Sequence, residues 1–122
     1  MSNYDHLAVL KKGVEVWNNW RKANPDIKPN LKRAILKGEC FRGINFQGVN
    51  LRWAVLRGAN FEGVNLRGAI LCNADLREAN LKDADLSGAN LYNVDLRQAN
   101  LTGTIFDPGK FDRTTIFPSD KN

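Results

Sequence analysis

Apolar side chains return every five residues along most of this chain. Residues 74–101 read ADLRE ANLKD ADLSG ANLYN VDLRQ ANL, with a leucine third in each unit. The same register extends back to residue 31 and forward to residue 116 without an inserted or deleted residue, which gives eighteen unit centres. These centres are Leu31, Leu36, Phe41, Phe46, Leu51, Leu56, Phe61, Leu66, Leu71, Leu76, Leu81, Leu86, Leu91, Leu96, Leu101, Phe106, Phe111 and Ile116.

A five-residue period fits neither a helix nor one long strand. In a helix, successive centres would be displaced by about 140° and would scatter around the cylinder, and in a strand they would alternate between faces. The residue two places before each centre is small and mostly apolar, as at Ala54 and Ala74, and in an extended segment it shares a face with the centre. The chain must therefore turn within every unit.

Glycine marks the corner of many units. It stands two places after the centre in eight units, at Gly38, Gly43, Gly48, Gly58, Gly63, Gly68, Gly88 and Gly103. Glycine accepts the positive φ that the third residue of a type II turn requires. Each unit is therefore predicted to be a short extended piece followed by a corner, with two side chains inward and three outward.

Repeated corners of one hand build a solenoid, in which stacked coils bury together the apolar side that no single unit can bury. The A(D/N)LXX units resemble those of the pentapeptide-repeat family, strongly over residues 31–106 and weakly to residue 116. The resemblance implies an all-β solenoid, a right-handed quadrilateral β-helix with four units and twenty residues per coil, hence about four coils. The leading helix and the W-x-x-W-R stretch are similar to those of cyanobacterial members.

The start of the chain has helical spacing instead. An apolar stripe at i, i+3, i+7 and i+10 predicts one helix over residues 5–23, formed by Leu7, Leu10, Val14 and Trp17. Gly13 weakens its middle by about 1 kcal/mol relative to alanine. The helix should end near Asn24, because Pro25 disfavours helical geometry in the residue before it.

Three segments follow from these patterns: a capping helix and proline-containing linker at residues 1–30, the β-helix at residues 31–118, and a frayed tail at residues 119–122. An open solenoid end exposes core and unpaired strand edges, so the helix is expected to be a lid. The alternative is an element that binds a partner or a membrane surface. At the other end, either Phe111, Ile116 and Phe117 fold over the core, or two copies meet there as a homodimer.

Stacking by twenty residues aligns the outward positions into columns. Lys37, Arg57, Arg77 and Arg97 then form a basic ladder with steps of about 4.8 Å. It is either an anion site or a solvated face neutralised by Asp75, Glu78 and Asp95.

The residues before most centres are Asn or Asp, and their side chains are expected to bond neighbouring backbone. Glu39 takes an inward position, so either the first coil is distorted or this carboxylate reaches solvent beneath the helix.

Trp53 is a large aromatic residue at a corner where glycine is usual. It either lies against the N-terminal segment or is an exposed interaction anchor, with Arg33 one coil below as a cation–π partner.

The composition offers little for catalysis. His6 is the only histidine, no cofactor or metal motif is present, and no cleft is expected on a convex surface. In the four-sided arrangement Cys40 and Cys72 lie on opposite faces, too far apart for a disulfide, which suits a reducing cytoplasm. No stretch approaches the roughly 18 apolar residues of a membrane span, and the N-terminus does not resemble a signal peptide.

The sequence therefore predicts a cytoplasmic, non-enzymatic scaffold that binds an unidentified protein without a cofactor. Its candidate surface is Lys37, Arg57, Arg77, Arg97 and Trp53. The alternative is binding of nucleic acid or another polyanion through the basic ladder, although the modest net positive charge disfavours nucleic acid. The resemblance also implies mimicry of DNA toward DNA gyrase, which the net charge of +5 disfavours.

Overall fold

The computed structural model describes the backbone of residues 3–119 and the side chains of residues 5–119, and it consists of two helices followed by a β-helix. Parallel bridges join each unit to the unit twenty residues later, from Asn30↔Asn50 through Asp85↔Ile105 and Asn90↔Lys110. Each bridge is isolated, because a corner interrupts the extended piece before a longer strand can form. The twenty-residue coil implied by the family resemblance is therefore confirmed.

Four sides make up each coil, and we number them by the centres that they stack. The first side contains Leu31, Leu51, Leu71 and Leu91, and the second contains Leu36, Leu56, Leu76 and Leu96. The third contains Phe41, Phe61, Leu81 and Leu101, and the fourth contains Phe46, Leu66, Leu86 and Phe106. All of these side chains are buried except those of Leu101 and Phe106 at the C-terminal end, which are partly exposed. The centres and the small residues two places before them form one continuous core.

The corners have the geometry that the glycine pattern predicts. The Ala34 N–H donates to the Leu31 carbonyl at 3.0 Å, and equivalent bonds recur along the chain. Each corner has two residues, and backbone φ is positive at the second of them in every unit from residue 33 to residue 103, whether or not that residue is glycine. The Asn and Asp residues before the centres accept a bond from the N–H two residues later, as Asn50 does from Arg52 at 3.0 Å. Their predicted structural role is confirmed.

The N-terminal segment forms two helices, so the prediction of one helix over residues 5–23 is wrong. Helix α1 spans Asn3–Lys11 and helix α2 spans Val14–Ala23. The chain breaks at Gly13, whose φ of 110° lies in a region that other residues rarely adopt. The predicted end near Asn24 is confirmed, and the Asn24 side-chain amide donates to the Trp20 carbonyl.

Helix α2 packs on the N-terminal end of the fourth side through its tryptophan. The Trp17 side chain is fully buried and meets the Phe46 ring edge to face, with centroids 5.6 Å apart. Its Nε1–H donates to the Asn45 carbonyl at 2.8 Å. The apolar ring therefore covers the core while its polar atom bonds the exposed edge of the first coil.

Two polar residues of α2 complete this contact. The Asn18 side chain accepts from the Asn45 N–H at 2.8 Å and donates to the Gly43 carbonyl at 2.9 Å. The Arg21 guanidinium donates to the carbonyls of Asn45 and Gln47 at 2.9 and 2.8 Å. Main-chain groups that a preceding coil would otherwise pair are therefore bonded by side chains of α2.

Helix α1 reaches the first side through its histidine. His6 is 3% exposed, and its Nδ1 accepts from the Asn30 N–H at 2.8 Å. Its ring packs against Trp20, with centroids 5.2 Å apart. Burial lowers the pKa of His6, and the neutral ring is the form that can accept this bond. Glu39, which the repeat places inward, is exposed beside the break between α1 and α2, so the second of its two predicted outcomes holds.

The five-residue register slips at the C-terminal end, so the prediction that Ile116 is an inward centre is wrong. Asp95 bridges to Ile116, twenty-one residues later, where every other bridge spans twenty. The extra residue turns Ile116 outward, where it is 47% exposed, and the partly buried Phe117 follows it at the inward position. Thr115 is 7% exposed and takes the position of the small residue two places before the centre. The Thr115 hydroxyl donates to the Leu91 carbonyl at 2.6 Å, which satisfies this buried polar group.

An aromatic cluster lies on the same end. Phe106, Phe111 and Phe117 are in mutual edge-to-face contact, with centroid separations of 5.1–6.2 Å. Phe111 is nevertheless 44% exposed, since no further coil lies above it within the described residues. The predicted frayed tail lies outside the described residues beyond Ser119.

We predict that His6 couples the helical segment to pH. Its folded-state pKa is lowered, so its contribution to stability is fully present above the unfolded value near 6.5 and is lost as pH falls through the folded value. The urea midpoint should therefore decrease as the pH is lowered from 7 to 5, and the protection factor of the Asn30 amide, corrected for the intrinsic pH dependence of exchange, should decrease with it.

His6→Gln provides the control, because it removes the only titrating imidazole of the chain. The variant should lose most of the slope in this pH range. An equal slope in wild type and variant would show that His6 does not carry it.

Candidate interaction surface

The predicted basic ladder runs along the corner after the second side. Its rungs are linked through the backbone, since the N–H of Gly38, Gly58 and Glu78 donates to the carbonyl of Arg57, Arg77 and Arg97 respectively, at 2.9–3.0 Å. Lys37, Arg57, Arg77 and Arg97 therefore stand one above another in successive coils. Their environments differ, and the difference comes from the outward residue two places before each rung.

The two rungs nearer the C-terminal end, Arg77 and Arg97, are paired with acids of their own unit. Arg77 donates to Asp75 through Nε and Nη2 at 2.9 and 2.7 Å. Arg97 makes the same two-pronged contact with Asp95, at 2.6 Å for the shortest bond. Both pairs lie at the surface, where such contacts contribute little to stability. Their main consequence is that the two guanidinium groups are turned toward their own acids.

The stacked carboxylates are held ionised by these arginines. The hydrogen bond from Arg77 lowers the pKa of Asp75, although partial desolvation and the neighbouring Asp95 oppose it. The bond from Arg97 likewise lowers the pKa of Asp95. Two like charges in adjacent coils are therefore tolerated because each has a cation of its own.

The two rungs nearer the N-terminal end, Lys37 and Arg57, have no such acid. Ile35 and Val55 occupy the positions that Asp75 and Asp95 hold above. Arg57 instead reaches Glu78 in the next coil, with Nε 3.1 Å from Oε1. Among the described residues, no carboxylate lies within 4.0 Å of the charged groups of Lys32, Arg33, Lys37 and Arg52.

Trp53 stands at the corner between the first and second sides. Its side chain is 48% exposed, and the Arg33 guanidinium carbon lies 5.5 Å from the ring centroid. The predicted cation–π pair is therefore present. No described ring contact joins Trp53 to α1 or α2. Its φ is 59°, a left-handed conformation that is uncommon for a bulky side chain.

Sequence reasoning missed Ile35. It is the most exposed large hydrophobic residue described, at 72%, and it bridges to Val55 beside the Trp53 corner. A signal was available, because Ile35 occupies an outward position that elsewhere mostly holds Asn or Asp. We define the Trp53 surface as Lys32, Arg33, Ile35, Lys37, Arg52 and Trp53.

A shallow groove of about 570 Å³ runs along the upper ladder. It is lined by Arg57, Arg77, Arg97, Gln98, Pro118 and Ser119. The structure therefore separates the predicted candidates into two sites: Trp53 and Lys37 belong to the Trp53 surface, and the three arginines belong to the groove. Phe111, Ile116 and Phe117, the predicted dimer contact, lie at the C-terminal end.

The described residues contain no cluster of His, Cys, Asp and Glu that could hold a metal ion. Cys40 and Cys72 are free thiols. Within the described chain, neither helix has the length and apolar character needed to cross a membrane.

We predict that removing the Arg77 guanidinium raises the pKa of Asp75. In Arg77→Gln, the carboxyl loses the bond that lowers its pKa, and the value should move up toward its ordinary range near 3.8. Because the folded-state pKa is depressed, the stabilisation is present above that ordinary value and is lost as pH falls below it. Carbon NMR of the labelled carboxyl measures the shift directly.

Arg67→Gln is the matched control, because Arg67 pairs with Asp85 on another side of the β-helix. It should leave the titration of Asp75 unchanged. Equal shifts in the two variants would indicate a general charge effect and contradict the local pairing.

Comparison with known proteins places this geometry in a family. The profile for pentapeptide repeats matches residues 40–71 and 69–107, with eight copies of the repeat. Comparison with curated protein sequences finds no match.

Solved structures of the same kind are similar over most of the chain. The pentapeptide-repeat protein alr5209 of Nostoc PCC 7120 is 37% identical, with a TM-score of 0.64 and coverage of 85% of this chain and 84% of that one. The protein Rfr23 of the cyanobacterium Cyanothece 51142 is 31% identical, with a TM-score of 0.50 and coverage of 75% and 67%. A trypsin-treated form of QnrB1, a plasmid-mediated fluoroquinolone resistance protein, is 19% identical with a TM-score of 0.40 over 70% and 59% of the chains, a likeness too low to support an argument.

Proteins of this family fold as right-handed quadrilateral β-helices and are generally structural or interaction proteins. The profile match, the two cyanobacterial structures and the twenty-residue bridges agree on one conclusion. This chain belongs to the pentapeptide-repeat family.

Proposed function

We propose that this protein is a non-enzymatic scaffold that binds another protein through the Trp53 surface. The observation that carries the proposal is a half-exposed tryptophan held over Arg33 at a corner where most units have glycine or a small polar residue. Tryptophan and arginine are the residues most enriched at the energetic centres of protein interfaces.

Backbone geometry supports the same proposal. A non-glycine residue in the left-handed region costs about 1 kcal/mol or more, and eight equivalent corners avoid that cost with glycine. Six other corners also hold a non-glycine residue with positive φ, but none of those residues is aromatic, and Trp53 is the bulkiest side chain at this corner position. A residue kept against local preference is a candidate for function.

Electrostatics support it as well. The four cations of the Trp53 surface have no ion-pair partner among the described residues, whereas Arg77 and Arg97 are paired within their own units. Unpaired charge around an apolar and aromatic centre favours a partner with complementary acidic groups.

The architecture places this surface near the N-terminal end of the β-helix. We propose that α1 and α2 cap the N-terminal end of a β-helix of about four coils, with contacts from Trp17, Asn18 and Arg21 to the first coil as support.

We further propose a homodimer contact at Phe111, Ile116 and Phe117, because the C-terminal end carries exposed apolar side chains. Such a dimer would leave the Trp53 surface free, since the two lie at opposite ends.

Polyanion binding through the groove is the second candidate. It is favoured by the alignment of Arg57, Arg77 and Arg97 along one shallow channel. It is opposed by the acids that already pair with all three arginines. Mimicry of DNA toward gyrase requires an acidic surface, which the net charge of +5 disfavours.

We predict that Trp53→Gly preserves the fold and abolishes partner capture. Relief of left-handed strain offsets the loss of the half-buried ring and of the cation–π contact, so stability should change by less than about 1 kcal/mol. Cross-linking in a lysate of the source cell, with identification by mass spectrometry, should give a partner with wild type and not with Trp53→Gly.

The matched control replaces Arg57, Arg77 and Arg97 together by serine and should retain the partner. Retention of wild type on a DNA column that is lost in the triple serine variant, but kept in Trp53→Gly, would instead support the polyanion candidate. A cross-linked partner that is unaffected by Trp53→Gly would refute the proposed surface.

A further inference from the structure

The first coil has main-chain groups that point off the N-terminal end of the β-helix. In the second coil, Val55 uses both of its groups toward the coil below, since its N–H donates to Ala34 at 2.9 Å and its carbonyl accepts from Leu36 at 2.8 Å. Asn60 does the same with Glu39 and Phe41. The equivalent residues of the first coil, at positions 30, 35, 40 and 45, have no preceding coil to pair with.

The two helices bond this edge fully on one side and partly on another. On the first side, the Asn30 N–H is bonded by His6, and on the fourth side, both groups of Asn45 are bonded by α2. On the second and third sides, no described residue bonds the N–H or the carbonyl of Ile35 or Cys40. Described residues therefore bond three of the eight N–H and carbonyl groups at residues 30, 35, 40 and 45, and they leave all four groups of Ile35 and Cys40 unpaired.

The side chains around the unpaired edge favour one kind of ligand. Ile35 is exposed at 72% and Lys37 has no ion-pair partner among the described residues. Lys32 and Arg33 precede this edge at the same corner, and Trp53 stands above it. Glu39 is the one acid of the first coil, residues 31–50, and lies next to a small groove of about 170 Å³ beside the break at Gly13.

We propose that the unpaired edge at Ile35 and Cys40 binds an extended, acidic segment of a partner protein by strand addition. The segment pairs its main chain with Ile35, turns past the corner toward Cys40, and places an apolar side chain against Ile35 and Trp53. Its carboxylates meet Lys37 and Arg33. Main-chain pairing supplies affinity and the side-chain contacts supply selectivity, as in other cases of strand addition.

This inference rests on the proposed function, because it specifies the partner chemistry that the Trp53 surface recognises. Strand addition also accounts for the incomplete lid, since unpaired edges are usually covered or blunted by charge. The positive charges of Lys37 and Lys32 disfavour pairing of this edge with a basic chain, whereas they attract an acidic one.

The test uses the full chain and a short, end-blocked synthetic peptide in which glutamate and valine alternate. Two-dimensional NMR of the labelled protein should show shifts at the amides of Ile35, Lys37 and Cys40 and at the Trp53 indole, which Trp53→Phe assigns. A peptide of the same sequence with methylated backbone nitrogens should bind at least about tenfold more weakly, because it cannot pair with the edge.

Variants of the protein locate the site. Ile35→Asp and Lys37→Glu should each weaken binding by about tenfold or more, because they place negative charge against an acidic peptide. Ile105→Asp is the matched control, since Ile105 is an exposed outward residue near the other end, and it should leave binding unchanged.

Absence of shifts up to the solubility limit of the peptide would overturn the inference, as would equal binding of the methylated peptide. A short oligothymidylate, titrated in parallel, covers the other class of ligand, and shifts of Trp53 with it alone would likewise overturn strand addition. The proposed function is tested separately. A cross-linked partner that is lost in Trp53→Gly but kept in Ile35→Asp would support the proposed scaffold function and contradict only the strand addition.

Discussion

Parallel main-chain pairing at an interval of twenty residues is the constraint on which the rest of this structure depends. Each coil can bury its centres only if the coil above and the coil below repeat its register, because no single five-residue unit encloses a core. The interval also aligns outward side chains. It decides that Arg33 lies under Trp53 and that Asp75 lies under Asp95.

The same constraint makes the ends of the β-helix the chemically distinctive parts of the molecule. Within the stack, three of the five N–H groups of a typical unit donate to a neighbouring coil, as those of Leu51, Trp53 and Val55 do. At the N-terminal end, side chains of α1 and α2 bond the Asn30 N–H and both main-chain groups of Asn45, and no described residue bonds those of Ile35 and Cys40. At the C-terminal end, a one-residue slip and three phenylalanines replace the regular repeat.

Much of the fold was predictable because the repeat expresses it directly in the sequence. The corners, the inward columns and the bonds of the Asn and Asp residues all follow from residue types at fixed positions. The errors occur where a single residue overrides the pattern. Gly13 breaks the predicted helix because its φ is accessible to glycine at little cost, and one extra residue between Lys110 and Ile116 turns Ile116 outward.

The candidate site was predictable only in part. Trp53 stood out because it breaks the corner rule, and Arg33 followed from the coil length. The division of the basic ladder into a paired and an unpaired half required knowledge of which acid each arginine reaches. Ile35 was overlooked because an apolar residue in an outward position resembles ordinary variation until its exposure and the missing coil beneath it are known.

A comparison of two insertions tests the central claim most directly. Duplicating residues 61–80 adds one complete coil and preserves every column, whereas one extra residue between Ala79 and Asn80 shifts all later centres by one position. Thermal unfolding followed by circular dichroism should show a cooperative transition at the same or a higher temperature for the duplication. It should show a strongly lowered transition for the single insertion. Equal stability of the two variants, or unfolding of the duplication alone, would contradict the account.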